Sequence, residues 1–187
     1  MPFDDPPARE PGVPNHASLA ILTWGVLGVV AVLGSAIVRL LPIALEPLRD
    51  GSLGAMHAVA YVASIVVMGY SEGYRAFHRQ YSPRVVARGL ALAGSKNWAF
   101  VAAAPLFCMS LFHATKRRLL AAWIVLAMVV VLVILVKMLP QPWRGVIDAG
   151  VVVGLGIGTV SILWYFVGAL RGSAPPVSAD LPDEPAG

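Results

Sequence analysis

The sequence predicts an all-α protein, a polytopic integral membrane bundle of about five transmembrane helices with one short interfacial helix. Of its 187 residues, 58% are apolar and only 13% are charged, against about 25% charged in ordinary globular domains. The charge-free stretches are also long enough to cross a hydrocarbon core of about 30 Å, which takes about 20 helical residues. A soluble single domain could not bury so many helices that are apolar on every side.

The two ends of the chain differ in composition from the part between them. Residues 1–17 are rich in proline and acidic residues and lack the basic start of a secretory signal. We therefore expect a disordered polar tail followed by a hydrophobic segment that is retained in the mature protein. Residues 172–187 are acidic and proline-rich, with too little apolar surface to fold, and are predicted to form a second disordered tail.

Five segments free of Asp, Glu, Lys and Arg define a transmembrane domain over 18–171. They lie at 18–38, 51–71, 97–115, 119–136 and 149–170. They are predicted to be helices because they lack the alternation of apolar and polar residues that barrel strands show. Pro105 should bend the third helix. Only three cations at 116–118 separate the third span from the fourth, which predicts a tight hairpin, since each charge at mid-bilayer would cost about 2.5–3.5 kcal/mol.

The connection between the second and third spans, 72–96, holds the predicted binding surface. Nothing interrupts the helix after the second span until Pro83, and Tyr70, Tyr74, Phe77 and Tyr81 have the spacing of one α-helical face. A stripe of aromatic residues with neighbouring arginines is typical of a helix at the level of anionic lipid headgroups.

A second helix is predicted to begin at Ser82-Pro83, with serine as the N-cap and proline in the first turn. Its arginines fall on a different side from its apolar residues, which indicates a short helix lying on the bilayer surface. The residues expected to contact headgroups or a partner are Arg75, Arg79, Arg84, Arg88, Tyr74 and Tyr81.

His57 and His113 are candidate ligands of a b-type haem or a metal ion. If the second and third spans are antiparallel, both imidazoles lie near the same face of the membrane. No repeated histidine pair and no third ligand accompanies them. The alternative is that His57 bonds a neighbouring helix and His113 belongs to the basic hairpin tip.

His78 is a candidate general base, with Arg75 and Arg79 as a clamp for a headgroup phosphate. No nucleophile motif, metal-ligand spacing or carboxylate pair supports catalysis, so the sequence favours a protein without enzymatic activity. The single cysteine, Cys108, lies in an apolar stretch and is interpreted as a small core residue.

Gly150, Gly154 and Gly158 recur every four residues on the fifth span and form two overlapping GxxxG units. Such a ridge lets another helix approach closely. Packing within the chain and a dimer interface both fit this pattern.

These patterns predict a non-catalytic structural, lipid-associated or accessory-subunit protein, without a cofactor, in the cytoplasmic (inner) membrane of a bacterium. The expected partners are anionic lipids, a second copy or a membrane complex. Nucleic acid is excluded because the basic residues flank apolar spans and do not line a soluble face. The alternatives are a haem- or metal-binding redox subunit that uses the two histidines, and a small oligomeric transporter.

Overall fold

The computed structural model describes residues 16–94 and 97–182, and every regular element within these ranges is helical. In chain order the elements are α1 (His16–Arg49), α2 (Ala55–Met68), a π-helix (Gly69–Tyr81), α3 (Ser82–Ala93), α4 (Trp98–Ala102), α5 (Ala104–Cys108), α6 (Lys116–Lys137) and α7 (Trp143–Leu170). Three of them, α1, α6 and α7, are long and apolar enough to cross a membrane. The prediction of an all-α protein with such helices is confirmed, whereas the count of five spans is not.

Helix α1 extends well past the predicted span 18–38, because Pro42 and Pro47 lie inside it and do not end it. Proline has no N–H, so Pro47 leaves the carbonyl of Ile43 without its helical donor. The side chain of Gln141 donates to this carbonyl at 3.4 Å and to the carboxylate of Glu46 at 2.7 Å. The loop before α7 thus stabilises the proline-containing end of α1.

The second predicted span, 51–71, is the first part of a much longer helix. Helix α2 leads into the π-helix, and the π-helix leads into α3, with helical backbone angles at both junctions. Pro83 does not interrupt this continuity, although it has no N–H to donate, since it stands in the first turn of α3 directly after the bond from Ser82 N–H to the carbonyl of Phe77. We call residues 55–93 the composite helix.

The composite helix runs parallel to α7. His57 contacts Trp143 at the start of α7, and His78 contacts Tyr165 near its end. Where the two helices meet, a methyl group added to Gly158 would come within 2.6 Å of the Phe77 ring. The close approach of the two helices therefore depends on the absence of a side chain at Gly158.

Helix α1 runs in the opposite direction to both. Gly145 and Tyr61, near the starts of α7 and the composite helix, face Pro47 and Ala44 of α1. At the other end Gly89 lies against Leu22. The bundle therefore has a Trp143 end, where α7 begins, and an Arg171 end, where α7 finishes.

The predicted interfacial helix is wrong in its placement, because α3 is buried inside the bundle. Its apolar residues Val85, Val86 and Leu92 are about 1% exposed or less, and they pack with α1 and α5. The sequence correctly separates the apolar side from the arginine side, but that apolar side meets protein and not lipid.

The third predicted span, 97–115, is not one helix. It consists of α4, α5 and a series of turns, with left-handed backbone at Ser110 (φ 61°) and His113 (φ 49°). Pro105 is the physical reason for the break after α4, since it cannot donate to the carbonyl four residues before it and its ring crowds that carbonyl, and the backbone leaves helical geometry at Ala103 (φ −93°, ψ 24°). This segment covers the Arg171 end of the bundle, where Phe107 is 3% exposed.

The fourth and fifth predicted spans, 119–136 and 149–170, lie within α6 and α7. Helix α6 begins at the cations Lys116, Arg117 and Arg118, and its side chains make few contacts with the rest of the protein. Within the described chain it is an apolar helix exposed on nearly all sides.

The C-terminal segment differs from the predicted free tail up to residue 182. Ala179 is 6% exposed, and Leu181 packs against the cluster of Leu92, Ala104 and Phe107. Residues 1–15 and 183–187, which hold most of the predicted N-terminal tail and the end of the C-terminal one, lie outside the described ranges.

Candidate functional site

The winding of the π-helix determines which aromatic residues share a face. Tyr70 stacks on Tyr74 with ring centroids 6.1 Å apart, and Tyr74 stacks on His78 at 5.5 Å. Phe77 turns away and meets Tyr81 at 5.3 Å in the core. The hydrogen bonds of a π-helix join residues five apart, so each residue rotates by less than the ~100° of an α-helix. The predicted single stripe of four aromatic residues is therefore wrong.

His78 joins the composite helix to the middle of α7. Its Nδ1 lies 3.0 Å from Oγ of Ser161, which is 4% exposed, and its ring is 5.6 Å from the ring of Tyr165. The contact is a hydrogen bond between side chains of two packed helices, within the charge-free part of α7. It places an ionisable imidazole beside an apolar helix, where the bond satisfies the buried hydroxyl.

Three charged residues of the π-helix point away from the core. Glu72, Arg75 and Arg79 are exposed, as is Tyr74 at 46%. They lie on the part of the composite helix that packs along 150–161 of α7, since Glu72 adjoins Gly154. The protein thus presents charge next to a helix long and apolar enough to cross a membrane.

The glycine ridge of α7 lies against the composite helix. Gly150 meets Ser64 and Met68, while Gly154 meets Glu72, and all three glycines of the ridge are buried. On the opposing side Gly73 lies so close to Ile157 that an added methyl group would be 2.8 Å away. The glycine ridge therefore packs against another helix of the same chain, which is the first of the two arrangements that the sequence pattern allows.

Arg84 and Arg118 share one carboxylate oxygen at the Arg171 end. Oδ2 of Asp180 is 2.8 Å from Nε of Arg84 and 2.7 Å from Nε of Arg118. Thr115 donates its backbone N–H to the carbonyl of Asp180 at 3.0 Å. This ion cluster joins α3, α6 and the C-terminal segment.

Arg88 is wholly buried next to this cluster. Its guanidinium donates to the carbonyls of Phe107 (2.6 Å), Ala179 (2.8 Å), His113 (3.0 Å) and Phe112 (3.1 Å). It also lies over the Phe107 ring, 4.4 Å from its centroid. The turns of 109–115 thereby direct the carbonyls of Phe112 and His113 at a cation. The guanidinium thus satisfies carbonyls that lie outside regular helices.

The residues predicted to contact headgroups therefore fall into three environments. Arg75, Arg79 and Tyr74 are exposed on the π-helix. Arg84 bonds to the carbonyl of Gln80 and pairs with Asp180. Arg88 and Tyr81 lie in the interior, where a lipid headgroup does not reach them without rearrangement.

The two histidines proposed as ligands lie at opposite ends of the bundle. His57 contacts Trp143 at 4.9 Å, whereas His113 contacts Phe100 at 4.8 Å near the Arg171 end. The 28 residues of α7 span about 42 Å between these ends. Within 16–94 and 97–182, no group of three His, Cys, Asp or Glu side chains could hold a metal ion. The structure does not bring the two imidazoles together.

Sequence reasoning missed Ser161, Arg118 and Asp180 as members of these clusters. Arg118 and Asp180 stand in a basic turn and a proline-rich tail, and their spacing from Arg84 carries no periodic signal. Ser161 could have been found as a polar residue in the middle of an apolar span, which usually needs a partner on a neighbouring helix. The chain matches no protein-family model, no curated protein and no solved structure.

Proposed function

We propose that this chain is a multi-pass protein of a bacterial cytoplasmic membrane, with four crossings and a non-catalytic, lipid-associated role. The four crossings are α1, the composite helix, α6 and α7. The continuity of 55–93 from one end of α7 to the other supports counting the composite helix as a crossing. The segment 97–115 then lies at one membrane surface and is not a span.

The exposed face of the π-helix is the observation that carries the lipid-binding proposal. It combines two arginines, Arg75 and Arg79, with the exposed ring of Tyr74. Long arginine side chains extend along apolar surface until the guanidinium reaches the headgroups. Aromatic rings and guanidinium groups at that level favour anionic lipid. Lys116 and Arg117, exposed at the Arg171 end, add positive charge.

The test removes the two exposed arginines. Arg75→Gln/Arg79→Gln should retain fewer phosphatidylglycerol molecules in native mass spectrometry, and the difference from wild type should shrink as salt is added. Arg39→Gln/Arg49→Gln is the matched control, because it removes two exposed arginines from α1, outside the proposed face. Equal retention by the two double variants would refute the proposal.

An accessory-subunit role is the second candidate, and the charged residues beside α7 favour it. Glu72, Arg75 and Arg79 are exposed next to 150–161 of α7, where each charge that does not reach the headgroups costs about 2.5–3.5 kcal/mol. A partner subunit with complementary polar groups would remove that cost. A photo-crosslinking residue in place of Tyr74 should then yield one protein adduct of defined mass in native membranes, whereas lipid adducts alone would exclude this role.

A further inference from the structure

The last described residues of the chain are attached to the Arg171 end at four points. The carbonyl of Ala179 accepts from Arg88, the carbonyl of Asp180 accepts from Thr115, and Leu181 packs against the buried cluster of α3 and α5 residues. The fourth contact is the Asp180 carboxylate, which lies between Arg84 and Arg118. An anionic group therefore already occupies the space between these two guanidinium groups.

The Asp180 carboxylate fits that space poorly. Both arginines approach the same oxygen, Oδ2, through Nε, while the other oxygen, Oδ1, accepts from the hydroxyl of Ser178 at 3.1 Å. A strong pair between arginine and an oxyanion is bidentate, with two parallel N–H···O bonds. A group with three acceptor oxygens could form a bidentate pair with each arginine. A single carboxylate oxygen cannot do so.

The charge also favours a ligand with more negative charge than aspartate. Two guanidinium groups face one carboxylate, and Lys116 and Arg117 are exposed on the adjacent first turn of α6. A phosphate monoester carries about −1.5 to −2 charges and three acceptor oxygens. It would neutralise the pair of arginines more completely.

We propose that Arg84 and Arg118 form a binding site for the phosphate monoester headgroup of an anionic lipid, and that Asp180 is a built-in competitor that occupies the site when no such lipid is bound. This inference rests on the proposed lipid-associated role and identifies the headgroup class and the regulation. Lipid binding displaces the Asp180 carboxylate from the two arginines.

The ion pairs of the Asp180 carboxylate are weak enough to be exchanged. Arg118 is 39% exposed and Asp180 is 21% exposed, and ion pairs of this kind contribute about 0–1 kcal/mol each. Asp180 also has φ of 52°, in the left-handed region that non-glycine residues rarely adopt. A backbone shift at Asp180 that accompanies displacement of its carboxylate relieves this strain and offsets part of the lost ion pairing.

The experiment compares Asp180→Asn with wild type in nanodiscs of phosphatidylcholine containing phosphatidic acid. Removal of the competing charge should raise the affinity for phosphatidic acid about three- to tenfold, the range that corresponds to one or two such ion pairs. Asp180→Glu keeps the competitor and Asp50→Asn removes an exposed acid at the Trp143 end, so both should match wild type. Unchanged affinity in Asp180→Asn would overturn the proposal.

Two further arms locate the site and the source of the phosphate. Adding Arg118→Gln to Asp180→Asn should abolish the gain, whereas adding Arg171→Gln, also exposed at that end, should leave it intact. A gain that survives Arg118→Gln excludes this site. Inorganic phosphate added to the buffer should not displace the lipid; displacement at comparable concentration would show that the site recognises free phosphate.

Displacement of Asp180 can be observed with a spin label on Pro182→Cys, an exposed position two residues away. The native Cys108 is 1% exposed and should not react in the folded protein. Phosphatidic acid should increase the mobility of this label, and phosphatidylcholine alone should not. A label that stays immobile while lipid binds would overturn the competitor role of Asp180.

If wild type retains anionic lipid but Asp180→Asn has no effect, only this inference fails. Failure of the Arg75 and Arg79 test instead removes the proposed function.

Discussion

Replacing Arg88 by methionine should destabilise the Arg171 end more than any other single arginine substitution in this region. Methionine fills a similar volume but cannot donate, so four carbonyls lose the guanidinium as a donor. Only that of Phe107 keeps a described backbone donor, the N–H of Ser110 at 3.0 Å. Each hydrogen bond from a charged donor is worth about 1.5–3 kcal/mol. Burial of the guanidinium in wild type offsets several kcal/mol of that sum. We therefore expect the free energy of unfolding to fall by about 3–5 kcal/mol, which is what remains of the hydrogen-bond sum after this desolvation cost is subtracted.

The assay is reversible unfolding in mixed detergent micelles, with Arg84→Met as the control. Arg84 is 17% exposed and pairs at the surface, so its loss should cost about 1 kcal/mol or less. Thiol labelling gives an independent local readout, because Cys108 lies next to Phe107, whose carbonyl and ring both contact Arg88. Its labelling rate should rise in Arg88→Met and stay low in Arg84→Met. Equal stability of Arg88→Met and wild type would refute this reasoning.

Two further predictions concern the histidines. His78→Ala should lower the free energy of unfolding by about 1–3 kcal/mol, because the buried hydroxyl of Ser161 loses its partner. Adding Ser161→Ala should recover part of this loss of stability. No recovery would contradict the pairing of the two side chains. His57 and His113 lie at opposite ends of α7 and cannot ligate one haem together. Protein purified after expression with haem should therefore show no Soret band that requires both histidines. A band that is lost in His57→Ala and also in His113→Ala would contradict the structure.

The bundle's apolar helices were predictable because hydrocarbon length and charge exclusion are properties of local sequence. The segments 119–136 and 149–170 each lie within one long helix for this reason. The segment 97–115 has the same composition but forms short helices and turns. Its charge-free length satisfied the criterion for a span, while Pro105 and the contacts of Phe107 with Arg88 determined its actual path.

The aromatic and basic segment 72–96 was recognisable as unusual, but the positions of its side chains were not. An α-helical period places Tyr70 and Phe77 on one face, whereas the π-helix separates them and stacks Tyr74 on His78. Along the π-helical segment, Gly73 and Gly154 allow the composite helix and α7 to pack closely. The residues in contact are 70 or more positions apart in the chain, and such a contact leaves no periodic pattern in the sequence.

The sequence by itself determined the helical class, the apolar character of α1, α6 and α7, and the polar character of the π-helix, because each follows from residue type and local spacing. Tertiary structure alone decided that Arg88 is enclosed by carbonyls, that Asp180 lies between Arg84 and Arg118, and that His57 and His113 are far apart. The reason is physical: burial and charge pairing depend on which distant segments meet, and those encounters are set by the packing of the whole bundle.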